Sequence, residues 1–465
     1  MAAIITDPFK KQMVQTIFDE VSFPDSASTH RYYIGIGRSE QWDDSENVPA
    51  VTDTPRTIRN LRAGLQSIKS ASDVSYVIPR YNWSSGAVYS AYDDDFASIP
   101  AVNSYYVLTE DNQVYVCLQQ GKSSTGAAAN STVKPTGTSV KAFKTSDGYV
   151  WKFLYTLSAT NANKFLSANF VPVEKILDSA TLGRPHTVLE AQQLLVQDAA
   201  VPGQIIGIAV TSGGTGYTGS APVVTIQGDG VRAAATAVIS GGAVTKIELD
   251  SSTDSGITMG QGYNFASVSI AAPSGSGTTA TARVILGPDS GMGNDPRDEL
   301  KSTSLMFNTK PNGIEDSNFI VGQDFRQVAL IRDPKKPITD SDYTTSSGKV
   351  LRFLKLQAAA NVGFLDATIT GQNSGAKALV DQVDGDKLYF HQTEVTGFLP
   401  FQEGEVVTGG GQTGTLTAEG VDADSDAFTK DDVNKLSGKI LYIENRAPVT
   451  RAANQTEDIK VVITL

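Results

Sequence analysis

The sequence predicts a mainly β protein: a β-sandwich core with helices in its connecting loops and two small β-modules inserted into it. Three observations point there. Short runs rich in Val, Ile, Tyr and Phe recur along the chain between turn residues, as half-buried strands do. Only two stretches, both near the start, show helical spacing. Two segments, 204–286 and 357–425, break from the surrounding composition, and the first repeats itself.

The elements come in this order. In TDPFKKQMVQTIFDEV, Phe9, Met13, Ile17 and Val21 recur every fourth residue, which predicts one helical face; Thr6 or Asp7 can cap it and Pro8 suits the first turn. In TDTPRTIRNLRAGLQSIK, Ile58, Leu61, Leu65 and Ile68 predict a second face behind Asp53 or Thr54 and Pro55. RYYIGIG, SYVIPRYNW, YYVLTEDNQVYVCL, GYVWKFLYTL, DFRQVALIRDP, GKVLRFLKL, GKILYIEN and IKVVITL read as strands, with EDNQ joining a hairpin. Such a strand-dominated order favours a sandwich.

Residues 204–286 are rich in glycine and alanine and contain GTGYTG, a match to the G-x-G-x-x-G dinucleotide fingerprint. That motif needs a helix after its last glycine to hold a pyrophosphate, and an acidic residue about 20 positions on. The next residues are SAPVVTIQGDG, whose β-branched run favours a strand. The stretch is instead one copy of an internal repeat. Gly216-Tyr217 matches Gly262-Tyr263, Ile226 matches Ile270, and Ala235-Thr236-Ala237 matches Ala280-Thr281-Ala282. GTGYTG is then a turn in a repeated β-unit, its glycines supplying positive φ and Tyr217 packing over small-residue strands. In 357–425, GQNSGAKALV and GGGQTGTLTA read as two versions of one glycine turn leading into a strand, predicting a small β-barrel-like module or a β-roll. The domain map is core 1–203, inserted repeat 204–286, core 287–356, inserted module 357–425, and C-terminal core strands 426–465.

Composition narrows the function. The 465 residues carry a net charge of −12, without the basic balance of a nucleic-acid binder. No run approaches the roughly 18 apolar residues of a membrane span, and MAAIITDPFKKQ has its charges after its apolar stretch, unlike a signal peptide. Cys117, the single cysteine, alternates with apolar residues in QVYVCLQQ and reads as a buried, inert thiol made in a reducing cytoplasm. His30, His186 and His391 have no ligand-like spacing and read as structural or surface histidines. Asp93-Asp94-Asp95 reads as a solvated loop. DADSDAFTKDDV, from Asp422, opens like a calcium loop but carries Ala427 where glycine is required and Val433 where the bidentate Glu belongs. No catalytic residue, cofactor or metal is expected.

The aromatic and polar clusters RSEQW, IPRYNW, DGYVW and ENRAP place Trp or Arg at strand ends. These residues serve either an interface or the fold itself. Arg38, Trp42, Arg80, Trp83, Arg326 and Arg446 are the interface candidates. Trp151, inside GYVWKFLYTL, reads as a core residue, Trp42 as a contact residue, and Arg446, before Ala447-Pro448, as a turn residue that holds a loop.

Five stretches, IGIGRSEQWDDSEN, VIPRYNW, DGYVWKFLY, FRQVALIRDP and SGKILYIENRAPVTRAANQTEDIKVVITL, resemble the gene-product-eight family of baseplate wedge subunits from T-even-type contractile-tailed phages. They occur in the family's order and cover roughly 30–180, 320–356 and 436–465; the last is the most specific. The resemblance implies a β-sandwich with helices in its loops, a homodimer within each wedge, binding to other wedge proteins, and no enzymatic activity. It implies a virion location in the tail baseplate after synthesis in the host cytoplasm, with no nucleic-acid partner and no membrane insertion. The segments 204–286 and 357–425 look like additions to the family core. The alternative is a carbohydrate- or receptor-binding tail protein acting through them. Their aromatics are Tyr217, Tyr263, Phe265, Phe364, Tyr389, Phe390, Phe398 and Phe401, without a tryptophan, a thin supply for sugar stacking.

Overall fold

A computed structural model describes residues 4–22, 30–44, 47–71, 73–123, 125–249, 259–337, 339–418 and 432–465. The calcium-like run from Asp422 lies outside the described residues up to position 431. The protein is mainly β, and its contacts group it into two compact units. One comprises Met1–Val14, Ser75–Ser304 and Thr464–Leu465; the other comprises Gln15–Val74 and Leu305–Ile463. This differs from one core with two insertions. Strands within 32–70 find their partners at 324–349 and 439–450, so the expected core is divided, with 204–286 in the first unit and 357–425 in the second.

In the first unit, the hairpin strands Tyr106–Leu108 and Gln113–Gln119 pair antiparallel across EDNQ, where Asn112 takes a φ of 57°. Val150–Thr156 joins Gln113–Gln119, and Phe143–Lys144 completes a four-stranded sheet. Tyr89, Val107, Tyr115, Cys117, Tyr149, Trp151, Phe153 and Val196 form its core. Cys117 is fully buried, and burial pushes its thiol pKa well up, so the inert reading stands. Val196 comes from the helix Val188–Asp198, capped by a Thr187–Glu190 capping box.

The repeat folds as four nested antiparallel ribbons: Ile205–Ser212 with Thr281–Leu286, Val224–Gly228 with Ala266–Ile270, Val231–Ala233 with Met259–Gln261, and Ala235–Ser240 with Ala243–Leu249. The two copies are related pseudo-symmetrically. Val224 opposes Ile270 while Ile226 opposes Val268, so each copy presents the same strand to the other. Gly214, Gly216 and Gly219 all take positive φ, as the turn reading requires. A Cβ on Gly216 would lie 2.6 Å from the Ser276 carbonyl oxygen at a φ of 82°. Tyr217 is buried; its hydroxyl donates to the Ala271 carbonyl (3.0 Å) and accepts from the Ala280 N–H (2.9 Å). Tyr263 packs its ring on Gly228, Gly230 and Gly260. Gly216→Ala will therefore lower the unit's stability by about 1–2 kcal/mol or more, from left-handed strain plus the carbonyl clash, as read by urea unfolding. An unchanged midpoint would remove the turn from the repeat's framework.

In the second unit, an antiparallel five-stranded sheet runs in the order Ser347–Lys349, Leu65–Ser70, Tyr32–Gly37, Asp324–Arg332, Lys439–Thr450. Tyr33, Leu61, Leu65, Ile68, Ala329, Ile331, Tyr343, Val350 and Val433 pack as its core. The second predicted helix is shorter than its pattern. Thr54 caps Pro55–Ala63 through a hydrogen bond from Thr57 N–H (3.1 Å), but the helix ends at Gly64 and Leu65–Ser70 is a strand. Leu65 and Ile68 reach the core from a central strand, where sheet pairing overrides helical spacing. The first helix, Asp7–Ser22, buries Val14, while Phe9 and Met13 are exposed. A four-residue spacing drifts about 40° per step around a 3.6-residue helix, so Phe9 and Val21 cannot share a narrow face.

The segment from Arg352 to Leu416 forms a six-stranded sheet, Arg352–Lys355, Lys387–His391, Lys377–Asp384, Thr368–Gly371, Val406–Gly409, Gln412–Thr415. Its edges meet. Gln357 N–H donates to Thr415 O (2.9 Å), Thr417 N–H to Lys355 O (3.0 Å), and Leu356 bridges Leu416. The closed sheet encloses its own core of Leu354, Leu356, Phe364, Ile369, Val380, Leu388, Phe390 and Val407. Glu405 is buried and pins the GQNSG turn: its oxygens accept from the N–H groups of Asn373 and Ser374 (both 3.0 Å) and Gln402 (2.6 Å), which against burial hold its pKa below the usual range.

Candidate functional site

Five consecutive residues, Arg38 to Trp42, leave the Tyr32–Gly37 strand, and several of them are fixed by separate contacts in the second unit. Arg38 takes a φ of 62°, the left-handed region a non-glycine residue enters at a cost. That conformation lays its guanidinium over the Trp42 ring, 4.0 Å from the centroid. The Trp42 indole N–H donates to the Arg446 carbonyl (3.0 Å). The Ser39 carbonyl accepts from Arg326 (2.6 Å), whose other arm reaches Asp324 (2.9 Å). Burial pulls the Arg38 pKa below its ordinary value, opposed by Glu40 and Asp43.

Ser39 and Glu40 continue into a buried polar chain. Ser39 Oγ donates to Asp381 Oδ1 (2.7 Å), and Gln66 Nε2 approaches the same oxygen (3.3 Å). Asp381 Oδ2 lies 2.5 Å from His391 Nδ1, and His391 Nε2 lies 3.1 Å from Glu40 Oε1. His391 and Asp381 are 2% and 0% exposed. Burial alone would deprotonate the imidazole, but the Asp381 and Glu40 carboxylates outweigh it and raise its pKa to about 10. Burial would likewise raise Glu40, yet His391 and Arg38 hold it below the usual range. The hydroxyl of Ser39 meets the carboxylate and not the imidazole, so the order Ser39–Asp381–His391–Glu40 is an ion-pair lock, not a nucleophile–base pair. It tethers the closed sheet to the loop after the Tyr32–Gly37 strand.

Beside it opens a cleft of about 330 Å³ lined by Arg38, Glu40, Gln41, Asp43, Asn60 and Thr393, among others. Its mixed charges fit a polar contact surface.

Four of the six interface candidates, Arg38, Trp42, Arg326 and Arg446, thus gather in the second unit. Arg80 and Trp83 lie in the first. Arg80 donates to Asn82 Oδ1 and Ser167 O (both 2.9 Å); Trp83 donates to Ser131 Oγ (3.2 Å) and packs against the Trp151 cluster. Arg326 is buried, so its guanidinium serves the fold. Arg446 lies within the strand Lys439–Thr450, not in a turn. The register shifts between Phe325 and Gln327, so that 446–448 bulge opposite Arg326, which admits Pro448 to a strand. Its carbonyl, not its side chain, ties the loop down. The residue is half-buried, and its guanidinium makes no hydrogen bond or ion pair among the described residues.

The sequence reading missed Glu40, Asp381 and His391 as a group. Asp381 and His391 flank the VDGDK turn on paired strands; Val380 opposes Phe390 in the closed sheet's core, while Asp381 meets His391 on the other face, next to the bulge between Val380 and Gln382. The Asp-Gly turn was a readable signal for their pairing; the bulge was not. Asp93 and Asp94 are not simply solvated: both bind Arg283, and Asp94 accepts from Leu286 N–H (3.0 Å). His30 pairs with Asp333 (2.6 Å), and His186 Nε2 lies 2.8 Å from Leu177 O. Among the described residues, no three metal-ligating side chains converge, and no helix is long and apolar enough to cross a membrane. No family model matches the chain, and no curated protein matches it.

Proposed function

We propose that the protein is a structural subunit of a phage tail baseplate wedge, a homodimer that joins other wedge proteins. One observation carries this reading. Three of the five family-like stretches, far apart in the chain, fold as adjacent strands Tyr32–Gly37, Asp324–Arg332 and Lys439–Thr450. The loop after the first of them and the bulged part of the last build the Arg38–Trp42–Arg446 cluster. A rigid aromatic clamped between a cation and a strand carbonyl, beside an unpaired arginine, is the kind of preorganised anchor that interfaces use.

Mass and light-scattering analysis of the purified chain, alone and mixed with candidate wedge subunits, tests it. A two-fold dimer and a stable wedge complex are expected; a monomer at micromolar concentration that joins none of them overturns the reading. Trp42→Ala will weaken wedge association by about 2 kcal/mol or more, roughly thirtyfold, while the protein keeps its unfolding midpoint within a few degrees. Normal assembly of that variant would take Trp42 out of the interface.

A further inference from the structure

The first unit holds a cleft of about 250 Å³ that the proposed wedge interface does not use. Its floor and walls come from the end of the Gln113–Gln119 strand, the Ile205–Ser212 strand and the Ala243–Leu249 strand. Leu118, Ile208, Ile247, Leu249 and Ile285 make one side aliphatic, and Phe96, stacked on Tyr105 (5.9 Å), edges it. The Tyr92–Phe96 loop that closes the cleft is pinned in place, because Asp93 and Asp94 both bind Arg283 on the Thr281–Leu286 strand.

The charge in this cleft is unbalanced. Arg283 is shared by Asp93 and Asp94, one guanidinium for two carboxylates. Glu248 is shared by Lys246 (2.7 Å) and Lys144 (3.2 Å), one carboxylate for two ammonium groups. Lys122 lines the cleft half-buried and has no hydrogen-bond or ion-pair partner for its ammonium among the described residues. Burial and the neighbouring Lys246 both push its pKa below the ordinary lysine value. Of the two lysines that line the cleft, Lys246 has Glu248 and Lys122 meets no carboxylate among the described residues, beside an apolar wall. A half-buried cation without a counter-ion is only partly solvated, so an anion that meets it there gains more than at an open surface.

We propose that this cleft binds a small organic carboxylate with an apolar body, its carboxylate on Lys122 and its hydrocarbon against Ile208, Ile247 and Leu118. The volume lies at the small end for ligand sites, which fits a single ring or a short chain. Both halves of the ligand are needed. Charge alone would find many lysines on the surface, and an apolar body alone would leave the ammonium unpaired.

Titration calorimetry with the whole chain tests this, using benzoate and hexanoate as probes and acetate, inorganic phosphate and benzyl alcohol as controls. Benzoate and hexanoate should saturate one site per chain, with the controls at least about tenfold weaker. Lys122→Met should weaken benzoate binding about tenfold or more, and Lys122→Arg should retain it. Ala209→Met, which fills the cleft and leaves Lys122 in place, should abolish binding. Matching thermal unfolding curves establish that the variants are folded. Binding unaffected by Lys122→Met and Ala209→Met, equal affinity for acetate or phosphate, equal affinity for benzyl alcohol, or no heat from either probe overturns the proposal.

Discussion

Trp151→Ala will destabilise the first unit by about 3–5 kcal/mol and lower its unfolding midpoint by roughly 6–20 °C. The indole is 0% exposed in the middle of the Val150–Thr156 strand. Tyr149 stacks on it with ring centres 5.6 Å apart and planes 16° from parallel; Tyr89 meets it edge-on at 5.6 Å. Removing it strips Tyr89 and Tyr149 of their shared ring, and close packing of the surrounding core prevents full collapse into the gap. Among the described residues the indole N–H has no hydrogen-bond partner, so the side chain serves the core by its shape. Trp151→Phe should for that reason cost far less than the alanine change, since it loses volume but also an unpaired buried donor. Differential scanning calorimetry of the two variants separates the cases. Equal losses from Phe and Ala would mean that the indole's contacts, not its volume, carry the core.

Trp151 was legible because it sits in an alternating run whose neighbours all prefer strands, and local preference and tertiary packing agree there. The same agreement made the hairpin at EDNQ and the glycine turn at GTGYTG readable, since Asn112 and Gly216 each solve a local backbone problem. Legibility failed where distant segments decide. Leu65 and Ile68 carry helical spacing but lie between two other strands, and pairing with Tyr32–Gly37 settles their conformation. Pro448 announces a turn and instead sits in a bulge. The helix Val188–Asp198 was missed although its T-x-x-E capping box is written in the sequence. The His391 lock was illegible for a stricter reason. Its members lie at 39, 40, 66, 381 and 391, and only the closed sheet against the Arg38–Trp42 loop brings them together.

That lock should be the most costly polar site in the second unit to break. Asp381→Ala leaves the His391 imidazolium buried with Glu40 alone and strands the Ser39 hydroxyl; a loss of about 3–5 kcal/mol is expected in urea unfolding. Replacing Asp381 and His391 together by leucine should cost less than the sum of the single changes, because the buried carboxylate and imidazolium leave together and Glu40 keeps Arg38 as its counter-charge. The pH dependence distinguishes this from simple packing loss. His391 has a folded pKa of about 10 against an ordinary 6.5, so its stabilisation is complete below about 6.5 and is lost as pH rises toward 10. Glu40 is shifted the other way, so its contribution is present above its ordinary value of 4.5 and is lost as pH falls below it. The pair together predicts a plateau between about pH 4.5 and 6.5 and a decline on the alkaline side. In His391→Gln the alkaline decline should flatten, leaving the protein less stable at pH 6 but closer to wild type at pH 9.5. A His391→Gln protein that keeps the wild-type alkaline slope would show that another group titrates there and that the imidazole is neutral in the fold.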